Sequence, residues 1–260
     1  MSGLGWCDIA RSPIRLLALL IALTILAGTP ASAAAVAPNG SCQGDTAPND
    51  FAGSSVAFLG VASAEARIES INPLLCTTAG DRIHGSFAWV GVGGSVNCDE
   101  CIYQMGTTKC VNLNNPSSGC NGTFKMFYAW GRNHNYGGCP DVLPFPISLG
   151  AAPSGTNAYS VVRTTTQIQF WLNGGTQTTI GNANICWTRE EALYFDESYD
   201  RGDQLGGTVG DHQSYTNAIY ERTVGGSWFS PSFTSCPSTY GFYFCTRVNG
   251  QALDMWTDRS

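Results

Sequence analysis

Residues 167–180 read QIQFWLNGGTQTTI. Two runs of β-branched, aromatic and polar residues flank Asn173-Gly174, a pair that supplies the positive φ values a two-residue hairpin turn requires. The segment is read as a β-hairpin, and its pattern recurs. Short runs rich in Val, Ile, Thr, Tyr, Phe and Trp lie between Gly, Pro and Asn clusters at 65–71, 85–92, 101–105, 123–130, 158–164, 191–198, 214–221 and 241–247. Helix signals are scarce and no βαβ rhythm appears. Many strands at short spacing predict an all-β chain folded as an antiparallel β-sandwich.

The first 33 residues stand apart. Arg11 and Arg15 precede the apolar run LLALLIALTILA at 16–27, and Ala31-Ser32-Ala33 has the small-x-small pattern of a cleavage site. The run is shorter than the ~20 residues a membrane-spanning helix needs, so 1–33 are read as a secretory signal and the protein as secreted, with no membrane association afterwards. Residues 34–50 (AAVAPNGSCQGDTAPND) are read as a loose N-terminal arm. Residues 51–260 are read as one sandwich domain, with a cysteine-containing extension over about 230–260, and the chain as a monomer.

Of the 260 residues, 43% are hydrophobic and only 12% charged, about half the usual charged share of ~25%. Lysine occurs twice, at Lys109 and Lys125, so no basic stripe exists to collect phosphates and nucleic acid is excluded as a partner. Loss of the leader removes Arg11, Arg15 and Asp8 and takes the net charge from −6 to −7. It also removes Cys7 and leaves ten cysteines, an even number that in an exported chain predicts a disulfide-stabilised fold. Cys98-x-x-Cys101 lacks the second CxxC of a zinc ribbon and the helix of a redox motif, so it is read as structural.

Histidine occurs three times, at His84, His134 and His212, in no ligand-spacing or triad pattern. No metal or cofactor is therefore assigned. Asp196-x-Ser198-x-Asp200 hints at a calcium loop, but Arg201 and Gly207 stand where that loop needs Gly and Glu. Acid is concentrated late in the chain, with seven carboxylates between 190 and 211. Glu190, Glu191 and Asp211 are read as solvated loop residues. Glu197 ends the run Ala192-Leu193-Tyr194-Phe195, and the two-residue strand period puts it on one face with Leu193 and Phe195. A carboxylate among apolar side chains has a raised pKa and suits general acid–base work.

Four segments, taken in order, resemble the glutamic endopeptidases of the eqolisin type. They are Trp89-Val90-Gly91-Val92, Ile102-Tyr103-Gln104-Met105-Gly106, Phe127-Tyr128-Ala129-Trp130 and Ala192-Leu193-Tyr194-Phe195-Asp196-Glu197. The resemblance covers about residues 85–221. It implies a concanavalin-like jelly roll and hydrolysis of a polypeptide substrate in acid. Glu197 would deprotonate a water, Gln104 would hold it and stabilise the oxyanion, and Trp89, Tyr128, Trp130 and Tyr194 would line the substrate site. The chain departs from the family at Gly93, where an Asp is usual, after Trp130, and at Leu193 and Tyr194, where Glu and Trp are preferred. Two other readings stand beside it. One is a polysaccharide-binding or glycan-hydrolysing sandwich that pairs Glu197 with Asp196 or Asp200 and uses Trp89, Trp130 or Trp171 as sugar platforms. The other is a non-catalytic secreted structural protein.

Overall fold

The computed structural model describes residues 50–56, 60–75, 83–95, 98–112, 120–131, 146–181, 191–199, 202–239, 241 and 243–258. The leader at 1–33, the arm up to residue 49, His134, Glu190 and Asp200 lie outside them.

Among the described residues fifteen strands occur in order: β1 (Asp50–Val56), β2 (Ser63–Glu69), β3 (Ile83–Ser95), β4 (Cys98–Asn112), β5 (Asn121–Gly131), β6 (Ile147–Ala151), β7 (Thr156–Arg163), β8 (Gln167–Leu172), β9 (Gly175–Gly181), β10 (Glu191–Ser198), β11 (Gly207–Thr208), β12 (Gln213–Glu221), β13 (Trp228–Phe229), β14 (Tyr243–Asn249) and β15 (Ala252–Thr257). The described residues contain no helix, hence none long and apolar enough to cross a membrane. The hairpin at 167–180 forms as its sequence predicts: Leu172 pairs with Gly175, and Asn173 and Gly174 turn at φ 49° and 80°.

The strands build two sheets. One has six strands in the order β1-β10-β3-β4-β5-β6. The other has nine, along β11-β15-β12-β2-β7-β8-β9, with β13 on β12 and β14 on β15. All pairings are antiparallel except β11 with β15. The chain is thus a disulfide-stabilised β-sandwich. Cys110–Cys120 and Cys236–Cys245 are bonded, and Cys101 is disulfide-bonded as well.

Alternation decides what each strand buries. Even-numbered residues of β10, β3 and β5 (Ala192 and Tyr194; Ala88, Val90 and Val92; Met126) meet odd-numbered residues of β4 (Cys101, Tyr103, Met105) in the core between the sheets. Ile68, Tyr159, Val161, Phe170, Tyr215 and Leu253 close that core from the nine-stranded sheet. The tail read as an extension supplies strands of the sheet itself, β14 and β15, because Leu253 and Met255 alternate inward.

Three buried tyrosines clip the sheets together. Tyr103 donates to the Ala62 carbonyl (2.8 Å), Tyr194 to the Ile219 carbonyl (2.8 Å), and Tyr215 returns from β12 to the Phe195 carbonyl on β10 (2.7 Å). Each hydroxyl satisfies its own need for a partner and a carbonyl on the facing sheet. Tyr194→Phe keeps the ring and removes the bond, leaving a carbonyl unpaired at a cost of about 1–3 kcal/mol. The expected result is a lower urea midpoint at unchanged slope. An unchanged midpoint would show that the clip contributes nothing.

Candidate functional site

The outer face of the six-stranded sheet carries what the core does not. On β10, β3, β4 and β5 the register stacks four rows of residues on that face: Glu191–Gly93–Ile102–Gly131, then Leu193–Gly91–Gln104–Ala129, then Phe195–Trp89–Gly106–Phe127, then Glu197–Phe87–Thr108–Lys125. Phe87, Trp89, Phe127, Ala129 and Leu193 form a second, smaller apolar cluster there, with Ile102, Phe195 and Tyr199 against it.

Gln104 lies in the second row and is 7% exposed. Its Oε1 is buried and has no hydrogen-bond partner, a condition that is uncommon and costs about 1–3 kcal/mol in a folded protein. Gly91 lets the neighbouring strand and the Trp89 ring close in beside it. A Cβ at that position would lie 3.0 Å from the Tyr103 carbonyl and 3.1 Å from both the Gln104 Cβ and the Trp89 ring. The site is therefore a buried amide packed closely against the β3 backbone at Gly91 and the Trp89 ring.

The sequence expectation put Gln104 and Glu197 together. They share the face, but the register sets them two rows and two strands apart. At about 3.3 Å per residue and 4.8 Å per strand, that is roughly 16 Å between their Cα atoms. The row between them is filled by Trp89, which is 6% exposed and whose indole Nε1 donates to Glu197 Oε2 at 3.3 Å. The ring also packs on Phe195, with centroids 5.6 Å apart. As placed, no single water touches both Gln104 and Glu197. The residue directly across Gly91 from Gln104 is Leu193, one of the positions where the resembling family prefers Glu.

Three other expected site residues point the opposite way. Tyr194 belongs to the core between the sheets, and Tyr128 and Trp130 pack against it. Their strand parity is opposite to that of Gln104, so they cannot line the same site; of the expected aromatic wall only Trp89 does. The sugar platforms disperse for the same reason: Trp89 faces outward on one sheet, Trp130 inward, and Trp171 outward on the other. Of the carboxylate pairs expected for a glycosidase, the one with Asp200 lies outside the described residues. Asp196 faces the core while Glu197 faces out. The two outward carboxylates of β10, Glu191 and Glu197, are six residues, or about 20 Å, apart, beyond the ~5–9.5 Å such a pair spans.

One residue was missed. Glu191 was read as a loop carboxylate, yet it is the first residue of β10, half-buried, one row from Gln104. Its odd number, shared with Leu193, Phe195 and Glu197, was the available signal.

No family model matches the chain and no curated protein matches it. Among solved structures, scytalido-glutamic peptidase with a peptide-based transition-state analog is similar over 80% of this chain and 98% of that one, at TM-score 0.50 and 16% identity. The same peptidase with a transition-state analog inhibitor gives TM-score 0.51 at 14% identity over the same shares. A family 16 endo-glucanase from Bacteroides ovatus covers 58% of this chain and 66% of its own at TM-score 0.34 and 9% identity. The chain thus shares the fold of the glutamic peptidases at a distance.

On the core side of β10, Asp196 is fully buried. Burial pushes its carboxyl up to about 8, against a smaller lowering by its bond to Tyr215. The geometry agrees. The Tyr215 hydroxyl lies 2.7 Å from both the Phe195 carbonyl and Asp196 Oδ1. One hydroxyl proton serves one acceptor and the carbonyl can only accept, so a neutral Asp196 donates the second bond. Gly206, at φ +56°, leaves room for the carboxyl, since a Cβ there would collide with Asp196 Oδ2. His84 and Asp203 form another buried pair (3.8 Å) at the start of β3, where Asp203 also accepts from the Gly85 N–H. Among the described residues no group of three His, Cys, Asp or Glu side chains is placed to hold a metal ion. The folded chain holds the Asp196 proton between the ordinary carboxylate value and about 8, whereas the unfolded chain does not. Its contribution to stability is therefore complete at low pH and falls through that window by up to about 1.4 kcal/mol per pH unit. Asp196→Asn is expected to flatten the pH dependence of the unfolding free energy between pH 4 and 8; an unchanged slope would contradict a buried neutral acid.

Proposed function

We propose that the protein is exported, works as a monomer and hydrolyses polypeptide in acid medium on the outer face of the six-stranded sheet. Gln104 is the polar anchor and a glutamate of β10 is the base. The observation that carries this reading is the buried amide of Gln104, unpartnered at Oε1, on the same face as the outward carboxylates of β10. An amide so placed holds a water through its oxygen and donates N–H to the oxygen of a peptide carbonyl as that oxygen gains charge. The apolar cluster around it keeps competing water away. A carboxylate base needs no metal and no covalent intermediate.

Glu197 is the base that the sequence resemblance indicates. In that role its carboxylate would have to leave the Trp89 indole, and Trp89 would have to vacate the row between it and Gln104.

Leu193 favours a second reading, a protein that binds extended polypeptide without cutting it. An apolar side chain stands directly across Gly91 from Gln104, where a base would be in line with a held water. The two readings part in one assay: purified protein with an acid-unfolded protein substrate at pH 3–4, scored by new amino termini. Cleavage by the unaltered protein that falls by about 10²–10³ in Gln104→Ala supports the hydrolase. Peptide binding without cleavage, converted to cleavage by Leu193→Glu, supports the binding protein. Neither cleavage nor peptide binding between pH 2 and 7 would overturn both.

A further inference from the structure

Asn121-Gly122-Thr123 is the Asn-x-Ser/Thr pattern on which an exported chain receives an N-linked glycan. The same pattern occurs at Asn39-Gly40-Ser41, outside the described residues. Asn115-Pro116-Ser117, also outside them, is disqualified by its proline. A pattern of three residues is common in sequences, and its use depends on where the fold puts it.

Asn121 opens β5, one residue after Cys120, whose disulfide to Cys110 ties the start of the strand to β4. Asn121 and Thr123 are both exposed. The Thr123 N–H donates to Asn121 Oδ1 at 3.3 Å, and Gly122 makes the turn at φ +80°. That bond uses the oxygen of the amide and leaves Nδ2, the atom to which a glycan is joined. Two other described asparagines spend that atom inside the fold. Asn157 Nδ2 donates to the Ser154 and Gly155 carbonyls, and Asn173 Nδ2 donates to Asn157 Oδ1. β6 pairs with β5 from Lys125 to Tyr128, so the described residues give Asn121–Thr123 no strand on that side. The chain also carries its own control. At Asn249-Gly250-Gln251 the Gln251 N–H donates to Asn249 Oδ1 at 2.8 Å in the same kind of exposed turn, but glutamine stands where the hydroxyl residue is required.

We propose that Asn121 is an N-glycosylation site of the exported protein. This rests on the export reading above. The co-reactant is an oligosaccharide carried on a polyprenyl diphosphate. Asn121 Nδ2 forms a bond to the anomeric carbon of the first sugar. The bond from that carbon to the diphosphate oxygen breaks, and its electron pair leaves with the diphosphate. One amide proton is given up to a base of the transferase. The products are an N-glycosyl amide and the polyprenyl diphosphate. The folded chain carries the added group without repacking, because both Asn121 and Thr123 are exposed. Asn121 lies eight residues before Ala129, the β5 partner of Gln104. At about 3.3 Å per residue that is roughly 26 Å along the strand, so the glycan stands clear of Gln104. It covers instead the start of β5, where a bulky, solubilising group keeps other strands from pairing.

The test expresses the full chain, with its own leader, in a cell whose export compartment N-glycosylates. Protein from the medium is reduced, cut at lysine and arginine, and read by mass spectrometry. Lys109 and Lys125 bracket one peptide, residues 110–125, that holds Asn121. The expected result is a glycan on Asn121 that peptide N-glycosidase releases, leaving aspartate at that position. The glycan is expected to be lost in Asn121→Gln and in Thr123→Ala, kept in Thr123→Ser, and absent from Asn249 throughout. Exported protein with an unmodified Asn121 overturns the assignment while the export reading survives, and so does a Thr123→Ala protein that keeps the glycan. A chain retained inside the cell with residues 1–33 still attached overturns the export reading, and the assignment with it. If a variant is not secreted, the Asn121 peptide of the unaltered protein decides alone: modified supports the assignment and unmodified overturns it.

Discussion

The reciprocal clip between Tyr194 on β10 and Tyr215 on β12 fixes which way every side chain of β10 points. Tyr194 reaches inward to the Ile219 carbonyl, and Tyr215 reaches back to the Phe195 carbonyl beside Asp196. A slip of one residue would turn the whole strand over. It would put Glu191 and Glu197 into the apolar core, where an unpaired charge is prohibitively costly, and it would expose Tyr194. Asp196 already sits on the core side and is accommodated by keeping its proton. The outward set, Glu191, Leu193, Phe195 and Glu197, follows from that choice.

The pairing of β10 with β3, and of β3 with β4, then determines what meets what. Gln104 faces Leu193 across Gly91, while Trp89 stands between Gln104 and Glu197. The same sheet thus has two characters on one face. Around Phe87, Trp89, Phe127 and Phe195 it is a packed aromatic layer. Around Gly91 and Gly93 it is closely packed backbone, with the Gln104 amide and Glu191 in the adjoining rows. Function is assigned to the second region because the first has no polar group without a partner, whereas Gln104 has one.

Much of this was legible in the sequence. The hairpin at 167–180 and the strands at 65–71, 85–92, 101–105, 123–130, 158–164, 191–198, 214–221 and 241–247 are all in the structure, because alternation and turn chemistry are local properties. The strands at Asp50–Val56, Ile147–Ala151 and Ala252–Thr257 were missed. The first is rich in Gly and Ser, the second is short and mostly exposed, and the third looks like a tail until Leu253 and Met255 find the core. Parity correctly put Glu197 on one face with Leu193 and Phe195. It also carried the information that Tyr194 points away from them. Register was not legible, since it depends on partners about ninety residues apart. Glu197 was paired with Gln104 on the family resemblance, while Glu191, one row nearer, was read as a loop residue.

The most direct test is the structure of the protein bound to a peptide in which one amide is replaced by a hydroxyl-bearing tetrahedral carbon. The account predicts that the peptide lies on the outer face of the six-stranded sheet, with that hydroxyl within hydrogen-bond distance of the Gln104 amide. A peptide seated on the nine-stranded sheet, or against Trp89 and Glu197 with Gln104 untouched, would contradict it.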